Sequence, residues 1–229
     1  MDLMKMISRR KSVRSYTGEP VSPELLGDIY GLHLEPLYPD ISVRWEITGR
    51  DHVKCLCPWT TPQLITVYSE EKEGYLENIG FLFQQMDLYL QTLGLGVCWL
   101  GMGRINPRAT DSVEGMKFVI LLAFGHPKGD QLRHDLKGFK RKPMEQITDK
   151  PDSRLEPARL APSAVNSQPW YFTHEGDTIH VWCSKKGSPL DAGIALAHLY
   201  VSSADTFRFF KADHIADLPG YTYIGSVTL

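Results

Sequence analysis

The sequence predicts an α+β fold made of two strand-then-long-helix units whose long helices pack against each other. Three observations predict it. Over residues 74–93, Ile79, Phe83, Met86, Leu90 and Leu93 recur on one face at helical spacing, and Gly94 with Gly96 supplies the backbone freedom that ends a helix. Short runs rich in Val, Ile, Thr and Tyr, bounded by Gly, Pro or Asp, lie on both sides of that stretch. A faint internal repeat joins the two ends of the chain. Asn78-Ile79-Gly80-Phe81 ahead of Gln85 resembles Asp191-Ala192-Gly193-Ile194 ahead of His198, and Ile65-Thr66-Val67 resembles Ile179-His180-Val181, at offsets of 113 and 114 positions. A strand and a helix recurring at nearly one offset point to a degenerate duplication.

In chain order, Ser22-Pro23-Glu24 reads as an N-cap followed by a first-turn proline, predicting a helix over 23–32 after a basic loop. Residues 43–48 and 63–68 have strand character, the second bounded by Pro62. After the long helix, 97–100 and 117–124 read as strands. Phe118 to Phe124 is the longest apolar run, and it is far too short to cross a bilayer. Residues 125–154, rich in Gly, Pro, Lys and Asp, read as an extended connection. It divides the chain into halves of 1–150 and 151–229. In the second half, 170–173 and 178–182 read as strands, Gly187-Ser188-Pro189 opens a helix to about Lys211, and 221–229 is a last strand.

Composition narrows the function classes. With 25 Lys and Arg against 27 Asp and Glu, the net charge is −2, so no surplus of positive charge drives binding to nucleic acid or anionic lipid. Small molecules are the expected partners, with no nucleic acid and no membrane. The first ten residues lack an apolar stretch of signal-peptide length and turn basic after it rather than before, so a cytoplasmic, reducing setting is expected. Cys55 and Cys57 are too close for the usual zinc spacing, and Cys98 and Cys183 sit in apolar runs, where a free cysteine packs as a small hydrophobe. His126 and His198 have no carboxylate or cysteine at ligand spacing, so no metal site is expected.

Four segments carry candidate chemistry. Arg9-Arg10-Lys11-Ser12-Val13-Arg14-Ser15 places guanidinium groups and hydroxyls ahead of a helix, which suits a phosphate as well as it suits a solvated loop. Lys140-Arg141-Lys142-Pro143, within a longer basic cluster, has the same two readings. Leu95-Gly96-Val97-Cys98-Trp99-Leu100-Gly101-Met102-Gly103 joins a helix end to a strand and a glycine bend open to close approach, yet lacks the third glycine of a dinucleotide fingerprint. Ala161-Pro162-Ser163-Ala164-Val165-Asn166-Ser167-Gln168-Pro169-Trp170 is a proline-stiffened loop whose polar side chains suit a planar polar ligand or a structured turn.

Together these segments resemble the nitroreductase family of FMN-dependent oxidoreductases. Members carry Arg-Arg-Ser-x-Arg near the N-terminus, Ala-Pro-Ser-x-x-Asn-x-Gln-Pro-Trp, a helix ending in Gly-Leu-Gly-x-x-Trp-Ile-Gly, a Gly-x-Pro turn and a basic Arg-Lys-Pro. This sequence matches them at 10–14, 161–170, 94–101, 125–127 and 141–143. One departure matters: the Pro-Ser-x-x-Asn segment lies about 150 residues after the arginines instead of close behind them, and 37–42 lacks it. In family homodimers that segment reaches the partner's flavin. The resemblance therefore implies a nitroreductase-like fold of two diverged repeats, with antiparallel sheets and long central helices packed as a pseudo-dimer. Such a chain would act as a monomer with one FMN site, a homodimer being the alternative.

By motif position the resemblance assigns the FMN phosphate to Arg10, Ser12 and Arg141, with Lys11 or Lys142 as further charge. It sets Arg14 near N1 and O2 of the ring, where a cation stabilises the reduced form. It turns the backbone of Leu100, Gly101 and Met102 toward N5 and O4, and brings Pro162, Ser163 and Asn166 to the other edge. No catalytic side chain is expected, because the flavin carries the hydride. The implied activity is oxidation of NADH or NADPH coupled to reduction of a small electrophile such as a nitroaromatic or quinone. The alternative is an FMN-binding storage or sensing protein without turnover.

Overall fold

The computed structural model describes residues 2–55, 61, 63–106, 113 and 115–229; Cys57 and Pro62 of the sequence reading lie outside the described residues. The chain forms two compact units. The first comprises Met1–Glu35, Pro39–Tyr75 and Met86–His134, and the second Pro36–Tyr38, Leu76–Gln85 and Asp135–Leu229.

In the first unit, helix α1 (Leu3–Arg9) is a finding the sequence reading missed. Asp2 caps it by accepting the Lys5 N–H, and it ends at Arg10, whose backbone turns extended. Helix α2 (Pro23–Tyr30) begins as expected, with Ser22 accepting the Leu25 N–H and Pro23 in the first turn. Strands β1 (Val43–Thr48), β2 (Val53–Lys54) and β3 (Gln63–Ser69) precede helix α3 (Tyr75–Thr92), and β4 (Gly96–Leu100), β5 (Arg104–Ile105) and β6 (Lys117–Gly125) follow it. The main sheet runs β1-β3-β6-β4, all antiparallel, with β2 and β5 pairing separately. Ile65, Val67, Val97, Leu121, Leu122 and Phe124 are fully buried in it, as continuous apolar strand sequences require.

In the second unit, helix α4 (Glu156–Leu160) also escaped the sequence reading. Strands β7 (Trp170–Glu175) and β8 (Thr178–Ser184) lead into helix α5 (Pro189–Ser202), and β9 (Arg208–Phe210) and β10 (Tyr221–Thr228) close the chain. The expected extension of α5 to about Lys211 is corrected. The helix stops where the Ser202 and Thr206 hydroxyls donate to the Leu199 and Ser203 carbonyls, and Arg208–Phe210 form β9 instead. Its sheet runs β7-β8-β10-β9 and is antiparallel.

Both sheets follow one plan: two strands, a long helix, two more strands, laid side by side in the order first, second, fourth, third. Within the second unit the start of α3 meets α5 backbone to backbone. A Cβ on Gly80 would stand 2.0 Å from the Leu190 carbonyl oxygen, so glycine is required for the helices to approach this closely.

Candidate functional site

The basic arm of the first unit is built by pairing with distant chain. After α1 ends, Ser12 bridges to Val97 of β4, and the Val13 N–H donates to the Val97 carbonyl at 2.9 Å. Val13 is buried against Gly96, where any side chain would collide with it. On the arm's other side, Thr17 N–H donates to His126 O, Lys128 N–H to Ser15 O and Arg133 N–H to Arg9 O, all within 3.0 Å. Residues 126–133, read from sequence as a plain connection, are thus the partner of 9–17.

Arg10 is 2% exposed, and its Nη2 lies 3.3 Å from both Ser12 Oγ and Asp87 Oδ2. Asp87, fully buried on α3, also accepts from Gln91 Nε2 and from Trp99 Nε1. Gln91 Oε1 in turn accepts the Lys11 N–H at 3.1 Å. The last two turns of α3 therefore fix Arg10, Lys11 and Ser12 together. Arg10 Nε is buried with no hydrogen-bond partner among the described residues. Such an orphaned donor is costly unless an acceptor reaches it. Arg133 adds a second guanidinium, and its proton is held less tightly than usual by partial burial first and by the neighbouring Arg10 charge second. Two neighbouring guanidinium groups, one of them paired with a buried carboxylate, fit an anion such as phosphate.

The arm leads to Arg14, which is exposed, and β4 leads to the bend at Leu100, Gly101 and Met102. Leu100 is buried while Met102 is 78% exposed. Gly103 N–H closes the bend on Leu100 O, and the Arg104 guanidinium donates to the carbonyls of Gly101 and Gly103.

The second unit gathers the other motif residues. Arg141 Nε and Nη2 each donate to Leu160 O at 3.3 Å, and Nη1 donates to Asn166 Oδ1. Asn166 Nδ2 donates to Lys140 O. Gln168, 1% exposed, accepts the Lys142 N–H through Oε1, and its own N–H donates to Ser163 Oγ. Pro162 is buried behind Ser163. The loop is strained: Val165, Asn166 and Gln168 take φ values of 47°, 56° and 43°, and Val165 is a β-branched residue left 98% exposed. A further bond, from Ala164 N–H to Asp191 Oδ1 at 3.0 Å, ties it to α5.

Two groupings thus emerge. Arg10, Lys11 and Ser12 share one hydrogen-bonded cluster, and Arg141, Lys142, Ser163 and Asn166 share another. Arg133, Asp87 and Asp191 were missed, because each enters through a contact far away in sequence. His198, by contrast, serves packing: its Nδ1 donates to Pro157 O at 2.9 Å. Cys98 and Cys183 are buried as small hydrophobes, and Cys55 is half-buried. No group of three or more His, Cys, Asp or Glu residues could hold a metal, and no helix is long and apolar enough to cross a membrane, again among the described residues.

Residues 2–203 match the family described as Putative TM nitroreductase. No curated protein matches the sequence significantly. Among solved structures, a putative nitroreductase from Thermotoga maritima MSB8 is 22% identical, with a TM-score of 0.68 over 99% of this chain and 92% of that one. A nitroreductase family protein from Clostridium difficile 630 is 15% identical, with a TM-score of 0.52 over 64% of this chain and 96% of that one. A structure described as a Putative NADH dehydrogenase/NAD(P)H nitroreductase from Bacteroides thetaiotaomicron VPI-5482 is also 15% identical, with a TM-score of 0.51 over 63% of this chain and 95% of that one. All three share the fold.

Proposed function

The chain belongs to the Putative TM nitroreductase family, and on that premise we propose that it is an FMN-dependent oxidoreductase that takes reducing equivalents from NADH or NADPH and delivers them to a small electrophilic acceptor. The observation that carries the FMN part is the buried Arg10, with an unanswered Nε beside Ser12 and close to the Arg133 charge.

In this reading Arg10 and Ser12 hold the phosphate, with Lys11, Arg141 and Lys142 as the motif's further cations. Asp87 holds the Arg10 guanidinium in place without neutralising every donor. Arg14 stabilises negative charge on the reduced ring. The backbone of Leu100, Gly101 and Met102 and the loop residues Pro162, Ser163 and Asn166 line the ring's edges. The chemistry that bound FMN supplies is hydride transfer between a nicotinamide and an acceptor such as a nitroaromatic or quinone. The protein's own part is orientation and a fixed field, and no side chain need act as acid or base.

The shared strand order of the two sheets and the recurring glycines support a duplicated chain. Coverage supports it too, since the Clostridium and Bacteroides proteins are matched almost whole by less than two thirds of this one. The halves 1–150 and 151–229 would then stand in for two family subunits, giving one FMN per monomeric chain in the cytoplasm.

The test is a spectrum of size-separated monomer, with flavin stoichiometry, followed by anaerobic addition of NADH or NADPH. One FMN per monomer that bleaches supports the enzyme. Flavin that does not bleach favours a storage or sensing protein, and a colourless protein that FMN cannot reconstitute removes both readings. Flavin confined to a dimer fraction would overturn the single-chain site.

A further inference from the structure

Asn78 and Asp191 occupy equivalent places, 113 positions apart, near the starts of the two long helices. Their side chains do the same work. Asn78 Oδ1 accepts the backbone N–H groups of Leu37 and Tyr38 at 2.9 and 3.0 Å, and Asp191 Oδ1 accepts that of Ala164 at 3.0 Å. Each pins a loop lying earlier in its own half of the chain. They differ in chemistry: an amide is neutral at every pH, whereas Asp191 is a carboxyl that is only 3% exposed.

The loop that Asp191 pins needs holding. Val165, Asn166 and Gln168 sit in a backbone region that costs energy for non-glycine residues, so 161–168 keeps its shape only while its bonds over-determine it. A hydrogen bond to a charged acceptor is roughly twice as strong as one to a neutral acceptor. Burial, opposed in part by the Ala164 N–H, raises the Asp191 carboxyl to about 6. The titratable group that feels its charge is Cys183 on β8, and Glu77 on α3 acts on the same thiol. Burial, and then the charges of Asp191 and Glu77, push that thiol up to about 12, so it stays neutral across the range in which Asp191 titrates. From the loop itself the facing group is the uncharged Ala164 N–H.

We infer that Asp191 is a positioning residue: its carboxylate holds the 161–168 loop, and with it Ser163 and Asn166, in the conformation that receives the ligand, and its protonation loosens that hold. The inference rests on the reading that this loop borders bound flavin. Asp191 itself touches no reacting atom. Asn78, which cannot titrate, is the fixed version of the same device.

The experiment uses the full chain. Exchange of the Ala164 amide is followed by NMR from pH 5 to 8, corrected for intrinsic exchange, and FMN affinity is measured over the same range by flavin fluorescence. In the wild type, protection of Ala164 and FMN affinity should both fall roughly fivefold or more as pH drops through 6, the size of one weakened hydrogen bond. Asp191→Asn should flatten the Ala164 exchange curve and reduce the pH dependence of FMN affinity to the part that titration of the FMN phosphate near 6 supplies, while Glu77→Gln should leave both curves as in the wild type. The same pH dependence persisting in Asp191→Asn, or vanishing in Glu77→Gln, would overturn the assignment. If Asp191→Asn does not fold, a flat wild-type exchange profile at Ala164 still overturns it and a stepped one supports it. Absence of FMN binding in every variant would refute the flavin reading, and the exchange profile would still decide the role of Asp191.

Discussion

Gly80 and Gly193 make reciprocal approaches: a Cβ on Gly80 would stand 2.0 Å from the Leu190 carbonyl oxygen, and one on Gly193 would stand 2.0 Å from the Glu77 carbonyl oxygen. Each contact is the other shifted by 113 positions, the self-complementary pattern that a two-fold relation between helices produces.

Gly80→Ala and Gly193→Ala should therefore both destabilise, on the order of 3 kcal/mol, because the atom in the way is rigid backbone. Alanine in a helix interior otherwise gains about 0.5–1 kcal/mol over glycine, and Gly27→Ala in α2, where nothing lies within 4 Å, should show that gain. Denaturant unfolding measures all three. Equal stability of the Gly80 and Gly27 variants would remove the close helix contact.

Arg10→Ala should weaken FMN roughly tenfold or more, the loss of a charge-assisted contact of about 1.5–3 kcal/mol, and leave riboflavin unaffected because it lacks the phosphate. The same change strands buried Asp87, so unfolding should cost about 3–5 kcal/mol less, and adding Asp87→Asn should restore stability without restoring FMN affinity. Arg141→Ala should weaken FMN as well. Because it also releases Leu160 and Asn166, riboflavin binding should suffer in part. Unchanged FMN affinity in both single variants would sink the phosphate assignment.

On the proposed role of Arg14, Arg14→Gln should keep most FMN binding but lower the flavin's reduction potential, since it removes the exposed cation assigned to the reduced ring. A loss of about 1.5–3 kcal/mol corresponds to roughly 30–60 mV for two electrons. A potentiometric titration without a drop would contradict that role.

Two aspartates give opposite acid responses. Asp191 holds its proton up to about 6 in the folded chain against an ordinary 3.8, so its contribution to stability falls as pH rises from about 4 to 6 and stays low above that. Asp191→Asn should then be more stable than wild type at pH 7 by about 2–3 kcal/mol and nearly equal to it below pH 4. The Arg154 guanidinium, opposed by burial, holds Asp152 down to about 2, with the His174 ring bracketed between Asp152 and Asp149. That contribution is present above about pH 4 and lost as pH falls toward 2. Arg154→Gln should remove about 1 kcal/mol at pH 7, since the arginine is largely in water. Urea titrations at pH 3, 5 and 7 separate the two.

The long helices and the strands of both main sheets other than β9 were legible because their apolar patterns are strong: Ile79, Phe83, Met86 and Leu90 fix α3, and Ile179 with Val181 fixes β8. Helices α1 and α4 are too short for a period to register, and α4 starts at Leu155 with no side-chain cap to mark it. The end of α5 was misjudged because Phe207, Phe209 and Phe210 continue an apolar composition after the backbone has changed state. At the site, the motif residues were visible by spacing. Asp87 beneath Arg10, Arg133 beside it and Asp191 behind Ala164 were not, since long-range pairing alone brings them there.

The bond from Arg133 N–H to Arg9 O joins residues 124 positions apart, so closing it carries a loop entropy that the rest of the folded unit must offset. In the unfolded chain Arg133 is far from Arg10, and the two share no anion. An anion that binds them therefore recognises the folded chain alone, and at a hundred times its dissociation constant it adds about 2.7 kcal/mol to stability. Inorganic phosphate or FMN should act on this chain as a folding ligand, raising refolding yield before any electron is transferred.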